Sequence, residues 1–276
     1  MGGGFYNMSA RMDRSTKKGY ETKSREEIFT QTQVSDYMNP KFIDFRECRN
    51  SEEHPNVTPI IIGLDVTGSM GNIPHHLIKT GLPTLVSSLI EKNEIDPALC
   101  FIAVGDHLSD RGPLQVGQFE ASDEKLDHWL TSTWLEGNGG GNGGESYALA
   151  WKFAAEYVKM DASKGILITI GDEPIHDFYQ RHDMNGIFKH SSSEDTSSEA
   201  LLKNAQKNFY VHHIHCQFSR RDSGKFKDLL GENLHIANSE EEVIDIIVNI
   251  TKSTAIPAGA NANTSTSTDS SPEIML

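Results

Sequence analysis

A short apolar run, Pro59-Ile-Ile-Ile-Gly-Leu-Asp65, constrains the fold of this chain most strongly. Its β-branched residues follow one another without polar interruption, a pattern typical of a strand buried on both faces. Comparable runs occur at residues 100–105 and 165–170, residues 210–215 are also predicted to form a strand, and segments with helical spacing of apolar residues separate them. This alternation predicts an α/β fold, with an open, doubly wound, mostly parallel sheet and helices on both faces.

The charge balance excludes some classes of partner. The chain has 276 residues and a formal net charge of −14, from 25 Lys plus Arg against 39 Asp plus Glu. General nucleic-acid binders need basic clusters for phosphate contacts, so we expect no nucleic-acid partner. No apolar run approaches the roughly 18 residues of a membrane span, and the N-terminus has no apolar signal segment, so we expect no membrane association. Three widely spaced cysteines predict reduced thiols in a cytoplasmic protein.

Composition also divides the chain into three parts. Residues 1–57 begin with a basic segment, predicted to be flexible to about residue 25, and continue as an extended arm docked on the body. Residues 58–253 contain the strand and helix patterns and are predicted to form one domain. Residues 254–276 are rich in Ala, Asn, Ser and Thr without Lys or Arg, and we expect a disordered tail.

Polar residues follow two of the predicted strands. The first strand runs into Asp65-Val-Thr67-Gly-Ser69, and the strand at residues 165–170 runs into Gly171-Asp172. Ligands of such sheets bind outside the carboxyl ends of the strands. Carboxylates and hydroxyls are oxygen donors that suit a hard divalent cation such as Mg²⁺. A phosphate cradle is the weaker interpretation, because no Gly-Lys-Ser/Thr follows and Asp65 would repel an anion.

Further oxygen donors lie between these two segments. Residues 137–144 contain six of the 23 glycines and precede Glu145, so the backbone of this loop can approach a ligand closely. Asn142 and Glu145 are therefore candidate ligands or neighbours of the ion. Asp106 ends the second strand, where it could orient a metal-bound water or cap its own loop.

The sequence resembles the von Willebrand factor type A (vWA) family over about residues 59–253. Asp65-Val-Thr67-Gly-Ser69 matches the D-x-[S/T]-x-S signature of its metal-ion-dependent adhesion site, and Asp172 with Pro174 resembles the third metal loop. Asp106-His107, the loop ending in Glu145 and Asp172-x-Pro-x-His176 are more similar to intracellular microbial members, and to vWA domains attached to alpha-kinases, than to secreted adhesion proteins.

This resemblance implies a Mg²⁺ or Mn²⁺ ion held by Asp65, Thr67, Ser69 and Asp172. It implies a protein-interaction module, in which an Asp or Glu of a partner protein completes the coordination of the ion. Intracellular bacterial relatives often work with AAA+ ATPases, which are the partner class suggested here. The second metal loop usually has a Thr, which is missing between residues 137 and 145; Asn142, Glu145 or water would take its place. We expect Glu145 to lie beside the ion, because direct ligation would reduce its attraction for a partner carboxylate.

Two alternatives remain. His213 and His215 face the same side of a predicted strand, and with strand-end carboxylates they could form the metal centre of a hydrolase. His75, His76 or His107 could supply further ligands, but nothing in the spacing requires it. Polar residues near a strand end are the simpler explanation of both histidines, so a non-enzymatic role is favoured. The third hypothesis is a structural component of a larger particle, with the terminal segments used for attachment.

Overall fold

The alternation of strands and helices appears along the chain as follows. The computed structural model describes residues 4–68, 70, 72–93, 95–136, 143–217 and 223–255, and for residues 91–93 it describes the backbone. The strands are β1 (Arg46–Cys48), β2 (Val57–Asp65), β3 (Asp96–Val104), β4 (Leu114–Val116), β5 (Val158–Met160), β6 (Gly165–Gly171), β7 (Phe178–Tyr179), β8 (Thr196–Ser197), β9 (Phe209–Cys216) and β10 (Leu234–Ala237). The α-helices are α1 (Met8–Lys18), α2 (Arg25–Ile28), α3 (Asn72–His76), α4 (Leu82–Asn93), α5 (Asp123–Thr131), α6 (Tyr147–Tyr157), α7 (Arg181–Ile187), α8 (Ser198–Ala205), α9 (Phe226–Leu230) and α10 (Glu240–Thr254).

The central sheet has six strands in the order β10-β9-β6-β2-β3-β4. All neighbours run parallel except β4, which pairs antiparallel with β3 at one edge. The predicted mostly parallel, doubly wound α/β sheet is confirmed. The chain leaves β2 toward β3 on one side and later returns to β6 on the other. The carboxyl ends of β2 and β6 therefore flank the switch point of strand order, where such folds bind ligands.

Apolar side chains cover both faces of the sheet. Ile60, Ile62 and Leu64 of β2 belong to a core with helices α4 and α10, whereas Ile61 belongs to a second core with α6 and α8. Successive residues of a strand point to opposite faces. The uninterrupted apolar run of β2 is thus explained by burial on both sides.

The N-terminal segment differs from the sequence-based expectation. Residues 8–18, predicted to be flexible, form helix α1, which Asn7 caps by accepting a hydrogen bond from the backbone N–H of Ala10 at 2.9 Å. Arg11 is buried and forms an ion pair with Asp127 of α5, with 3.0 Å between Nε and Oδ1. The guanidinium also donates to the carbonyl of Ile78. The prediction of a flexible segment is therefore wrong here, because a buried polar contact holds the helix and such a contact leaves no apolar periodicity in the sequence.

The arm that follows reaches the body through a strand. β1 pairs in parallel with β5, and Cys48 lies opposite Met160. At the other end of the chain, α10 continues to Thr254, and the tail predicted for residues 254–276 lies outside the described residues from 256 onward. None of the helices within the described residues is long and apolar enough to cross a membrane.

The helix after β2 is interrupted before Pro83. A π-helical turn, Leu77–Gly81, lies between α3 and α4. The sequence predicts one helix from Pro74 with a kink at Pro83. Proline has no backbone N–H and crowds the preceding turn, and the structure accommodates it by widening that turn.

A candidate metal site at the carboxyl ends of the strands

Asp65 occupies the end of the central strand β2 and is fully buried. Its Oδ1 accepts hydrogen bonds from the backbone N–H of Thr67 at 2.9 Å and from the Thr67 hydroxyl at 2.6 Å. Aspartate commonly bonds the backbone two residues further on and so closes a tight turn. The turn places a carboxylate and a hydroxyl side by side, as the sequence analysis anticipates. Ser69, the third residue of the motif, lies outside the described residues.

Tyr147, the first residue of α6, bonds the other oxygen of Asp65. Its hydroxyl donates to Asp65 Oδ2 at 2.8 Å and accepts from the backbone N–H of Glu173 at 3.4 Å. Gly171 makes room for it, because a Cβ at that position would lie 1.9 Å from the Tyr147 oxygen. Tyr147 is not among the residues predicted for the site; the glycine directly before Asp172 is the sequence signal that could have indicated a close approach.

Asp172 follows β6 and lies in the same rim as Asp65. Leu64 pairs with Ile170, so the two aspartates end neighbouring parallel strands. Asp172 is 1% exposed. Burial raises the pKa of Asp65 and the charge of Asp172 raises it further, whereas the bonds from Thr67 and Tyr147 oppose the shift. Two buried carboxylates whose charges interact favour either a proton or a cation between them.

Glu145 is the strongest indication that this rim holds an ion. Its side chain is fully buried, and neither carboxylate oxygen has a hydrogen-bond partner among the described residues. The backbone fixes its position, since the N–H donates to the Pro174 carbonyl at 2.8 Å and the carbonyl accepts from the His176 N–H at 3.2 Å. Burial, followed by the charges of Asp65, Asp106, Asp110 and Asp172, raises its pKa far above the usual range. A divalent cation supplies the missing positive charge, so these residues fit a Mg²⁺ or Mn²⁺ ion. Asn142 lies outside the described residues.

Asp106 lies beyond the end of β3 and caps its own loop, which is one of the two roles considered for it; orientation of a metal-bound water stays a prediction. Its Oδ1 accepts from the Leu108 N–H at 3.1 Å, and its Oδ2 accepts from the Ser109 hydroxyl at 2.8 Å, so it caps its own loop. Its Oδ1 also lies 2.8 Å from His176 Nε2. Asp106, His107 and His176 form a group whose ligand atoms lie within 4.8 Å of one another and could hold a metal ion.

His213 and His215 lie on β9 further along the sheet. His213 is fully buried, its Nδ1 lies 2.9 Å from the Thr169 hydroxyl, and its ring stacks on Phe226 at 3.6 Å between centroids. Burial lowers the pKa of His213 well below its usual value, which keeps the ring neutral. Among the described residues, no further His, Cys, Asp or Glu joins the two histidines in a metal-binding group. The hydrolase centre at this position therefore stays a prediction.

Comparison with solved structures finds similar folds at low sequence identity. A structure of the pilus adhesin SpaC from Lactobacillus rhamnosus GG aligns with 74% of this chain and 31% of its own, at 12% identity and a TM-score of 0.50. Proximal thread matrix protein 1 from the mussel byssus aligns with 75% of this chain and 48% of its own, at 12% identity and a TM-score of 0.45. A von Willebrand factor type A protein from Catenulispora acidiphila aligns with 71% and 42%, at 14% identity and a TM-score of 0.41.

The mostly parallel six-stranded sheet, with acidic residues at the carboxyl ends of β2 and β6, agrees with the fold predicted from the sequence. The fold is vWA-like. At these identities the likeness extends to the fold alone, and the chain spans less than half the length of the three proteins. No protein-family model and no curated protein matched the sequence.

Proposed function

We propose that this vWA-like chain is a protein-interaction module that binds Mg²⁺ or Mn²⁺ and, through that ion, a carboxylate of a partner protein. The observation that carries the proposal is the buried Glu145 carboxylate, which has no hydrogen-bond partner among the described residues and faces the charges of Asp65 and Asp172. Three carboxylates gathered in one buried rim repel one another unless a cation lies among them.

Each residue has a distinct part in this proposal. Asp65, Thr67, Ser69 and Asp172 bind the ion, and their two carboxylates balance its charge of 2+. Glu145, at the end of the glycine-rich loop, would accept a hydrogen bond from a water bound to the ion. If Glu145 bound the ion directly, the three negative charges of the ligands would exceed the 2+ charge of the ion. The attraction of the ion for a carboxylate of the partner would then be weaker. Tyr147 orients Asp65 by donating to the oxygen that Thr67 leaves free.

A cavity among the described residues lies at the opposite end of the sheet from the rim. A cavity of about 310 Å³ is lined by residues that include Phe5, His54 and Pro97. These residues lie near the amino ends of the strands, whereas Asp65 and Asp172 lie at the carboxyl ends. The likeness of the fold to that of the pilus adhesin SpaC supports a protein-interaction role as an analogy only.

The first experiment measures ion binding by isothermal titration of the chelator-treated chain with Mn²⁺ and Mg²⁺. Asp65→Ala should remove measurable binding, because it deletes a charged ligand. Asp245→Ala is the matched control: this exposed carboxylate on α10 should leave binding unchanged. Equal affinity in Asp65→Ala and the parent chain would contradict the proposed site.

Glu145→Gln separates the two positions available to Glu145. Loss of a group that holds a metal-bound water typically weakens binding by about 10- to 100-fold. We therefore expect a smaller loss for Glu145→Gln than for Asp65→Ala. Equal losses would place Glu145 on the ion itself.

The second experiment compares proteins captured by the full chain in Mg²⁺, in chelator and with Asp65→Ala. A partner bound through the ion should be lost in the last two conditions, and substituting its Asp or Glu should abolish binding. An AAA+ ATPase in the metal-dependent fraction would support the adaptor role and a cytoplasmic location. Identical partners with and without the ion would refute the mechanism. Partners that are captured through the terminal segments of the chain would favour the alternative of a structural component of a larger particle.

A further inference from the structure

We infer that Asp106, His107 and His176 form a second metal site, distinct from the oxygen-lined rim and selective for a borderline divalent ion of the Zn²⁺ class. The carboxylate and both imidazoles come from two loops, one after β3 and one after β6. The inference does not depend on the proposed function, because none of the three side chains is among the ligands assigned to Mg²⁺ or Mn²⁺ above.

The distances within the group suit such an ion. Asp106 Oδ1 lies 2.8 Å from His176 Nε2 and 3.7 Å from His107 Nδ1, and all three ligand atoms lie within 4.8 Å of one another. Tetrahedral zinc, with bonds of about 2.0–2.2 Å, separates its ligand atoms by about 3.3 Å. The two measured distances bracket that value, so small side-chain rotations would complete the geometry.

The donor types distinguish this site from its neighbour. Imidazole nitrogen suits Zn²⁺ and other first-row transition metals, whereas Mg²⁺ takes oxygen ligands. Two histidines and one carboxylate give three protein ligands, the number found in zinc sites that keep one position open for water. Asp65, Thr67 and Asp172 offer only oxygen, so the two sites should select different ions.

Neighbouring residues hold the two imidazoles in place. His107 has a nearly buried side chain, and its Nε2 lies 3.9 Å from Asp183 Oδ2, on the side away from Asp106. A metal-bound histidine usually donates its second ring N–H to a carboxylate, and a small movement of Asp183 would form that bond. His176 packs onto Gly144, where a Cβ would lie 2.9 Å from its Cε1.

The Ser146 hydroxyl is hydrogen-bonded to His107 Nδ1, the nitrogen that would bind the ion. The hydroxyl lies 2.7 Å from His107 Nδ1 and accepts from the His107 N–H at 2.9 Å. Metal binding would replace the first of these bonds and keep the second. The ion would then connect the loops that follow β3 and β6, whose residues His107 and His176 contact Ser146 and Glu145 respectively.

The test is titration of the chelator-treated full chain with Co²⁺, in excess Mg²⁺, followed by visible absorption and by competition with Zn²⁺. We expect one Co²⁺ per chain with the absorption of a nitrogen-bound ion, displaced by Zn²⁺. His176→Gln keeps a hydrogen-bonding side chain beside Asp106 but removes the imidazole, and should weaken Co²⁺ binding about tenfold or more. His107→Gln is the second variant, and an unchanged melting temperature shows that each variant folds.

Two controls make the result specific. His235→Ala removes a histidine of a different pair, 3.2 Å from His212, and should leave Co²⁺ binding unchanged. Asp65→Ala should keep Co²⁺ binding even if it loses Mg²⁺. Absence of Co²⁺ binding, unchanged binding in both Gln variants, or loss in Asp65→Ala would overturn the second site and reduce the three residues to a hydrogen-bonded contact between loops.

Discussion

Gly171 shows how strongly a single backbone position can constrain this site. A Cβ there would lie 1.9 Å from the Tyr147 oxygen and 2.5 Å from its Cζ, and α6, which carries Tyr147, is largely buried. We predict that Gly171→Ala lowers the free energy of unfolding by about 3 kcal/mol, as overpacking of a rigid core does. Urea denaturation measures the change.

Gly186→Ala is the control for that substitution. Gly186 lies in α7, and a Cβ there meets no atom within 4 Å. Alanine should stabilise the helix by about 0.5–1 kcal/mol. A similar, small effect at both glycines would show that Tyr147 can move away from Asp65 without cost.

The pH dependence of stability should reveal Glu145. Burial and neighbouring aspartates raise its pKa from an ordinary value of 4.5, so the unfolded chain releases this proton at lower pH than the folded one. Its contribution is therefore fully present below pH 4.5 and is lost progressively as the pH rises toward the elevated folded pKa. In chelator, the parent chain should lose more stability than Glu145→Gln between about pH 5 and pH 8. Thermal unfolding across that range tests this, and parallel curves would contradict it.

At the scale of elements, ion pairs of Arg11 with Asp127 and of Arg14 with Asp123 join helix α1 to α5, and the Arg11 pair is the more deeply buried of the two. Removing one partner of a buried pair leaves an uncompensated charge, so Arg11→Ala should cost about 3–5 kcal/mol in the free energy of unfolding. Lys17→Ala, an exposed position on the same helix, should change it by less than about 0.5 kcal/mol. Chemical denaturation compares the two. If Arg11→Ala proves as mild as the control, α1 is held by other contacts.

The elements differ in how well the sequence predicts them. The strands β2, β3 and β6 are recognisable because burial on both faces leaves nearly continuous apolar runs. Helix α1 is not, since its decisive contact joins Arg11 to Asp127, which lie far apart in the chain. The π-helical turn before Pro83 is also missed, because a kink and a widened turn have the same sequence signal.

The candidate site is predictable to a similar degree. Asp65 and Asp172 follow recognisable strands, and parallel strands bring their carboxyl ends to one edge. The Tyr147–Asp65 bond and the Asp106–His176 contact depend on how a helix and two loops approach that edge. Local patterns do not encode such approaches, apart from the glycines at positions 144 and 171 that permit them.

For the whole molecule, ion binding and folding should be linked. An ion that binds only the folded chain stabilises it by about 2.7 kcal/mol at 100 times its dissociation constant. We predict that Mg²⁺ or Mn²⁺ raises the melting temperature of the parent chain and leaves that of Asp65→Ala unchanged. A thermal shift of equal size in both would indicate general screening of the net charge of −14 rather than a specific site.

Helix α6 gives the rim a rigid mechanical connection to a distant part of the surface. Nine of its 11 residues are buried, its first residue bonds Asp65, and its last is followed directly by β5, which pairs with β1. A helix enclosed in this way cannot tilt without repacking the core around it. A displacement of Glu145 must either be absorbed by the loop before α6 or move the whole helix. In the second case the paired strands β1 and β5 at its far end move with it.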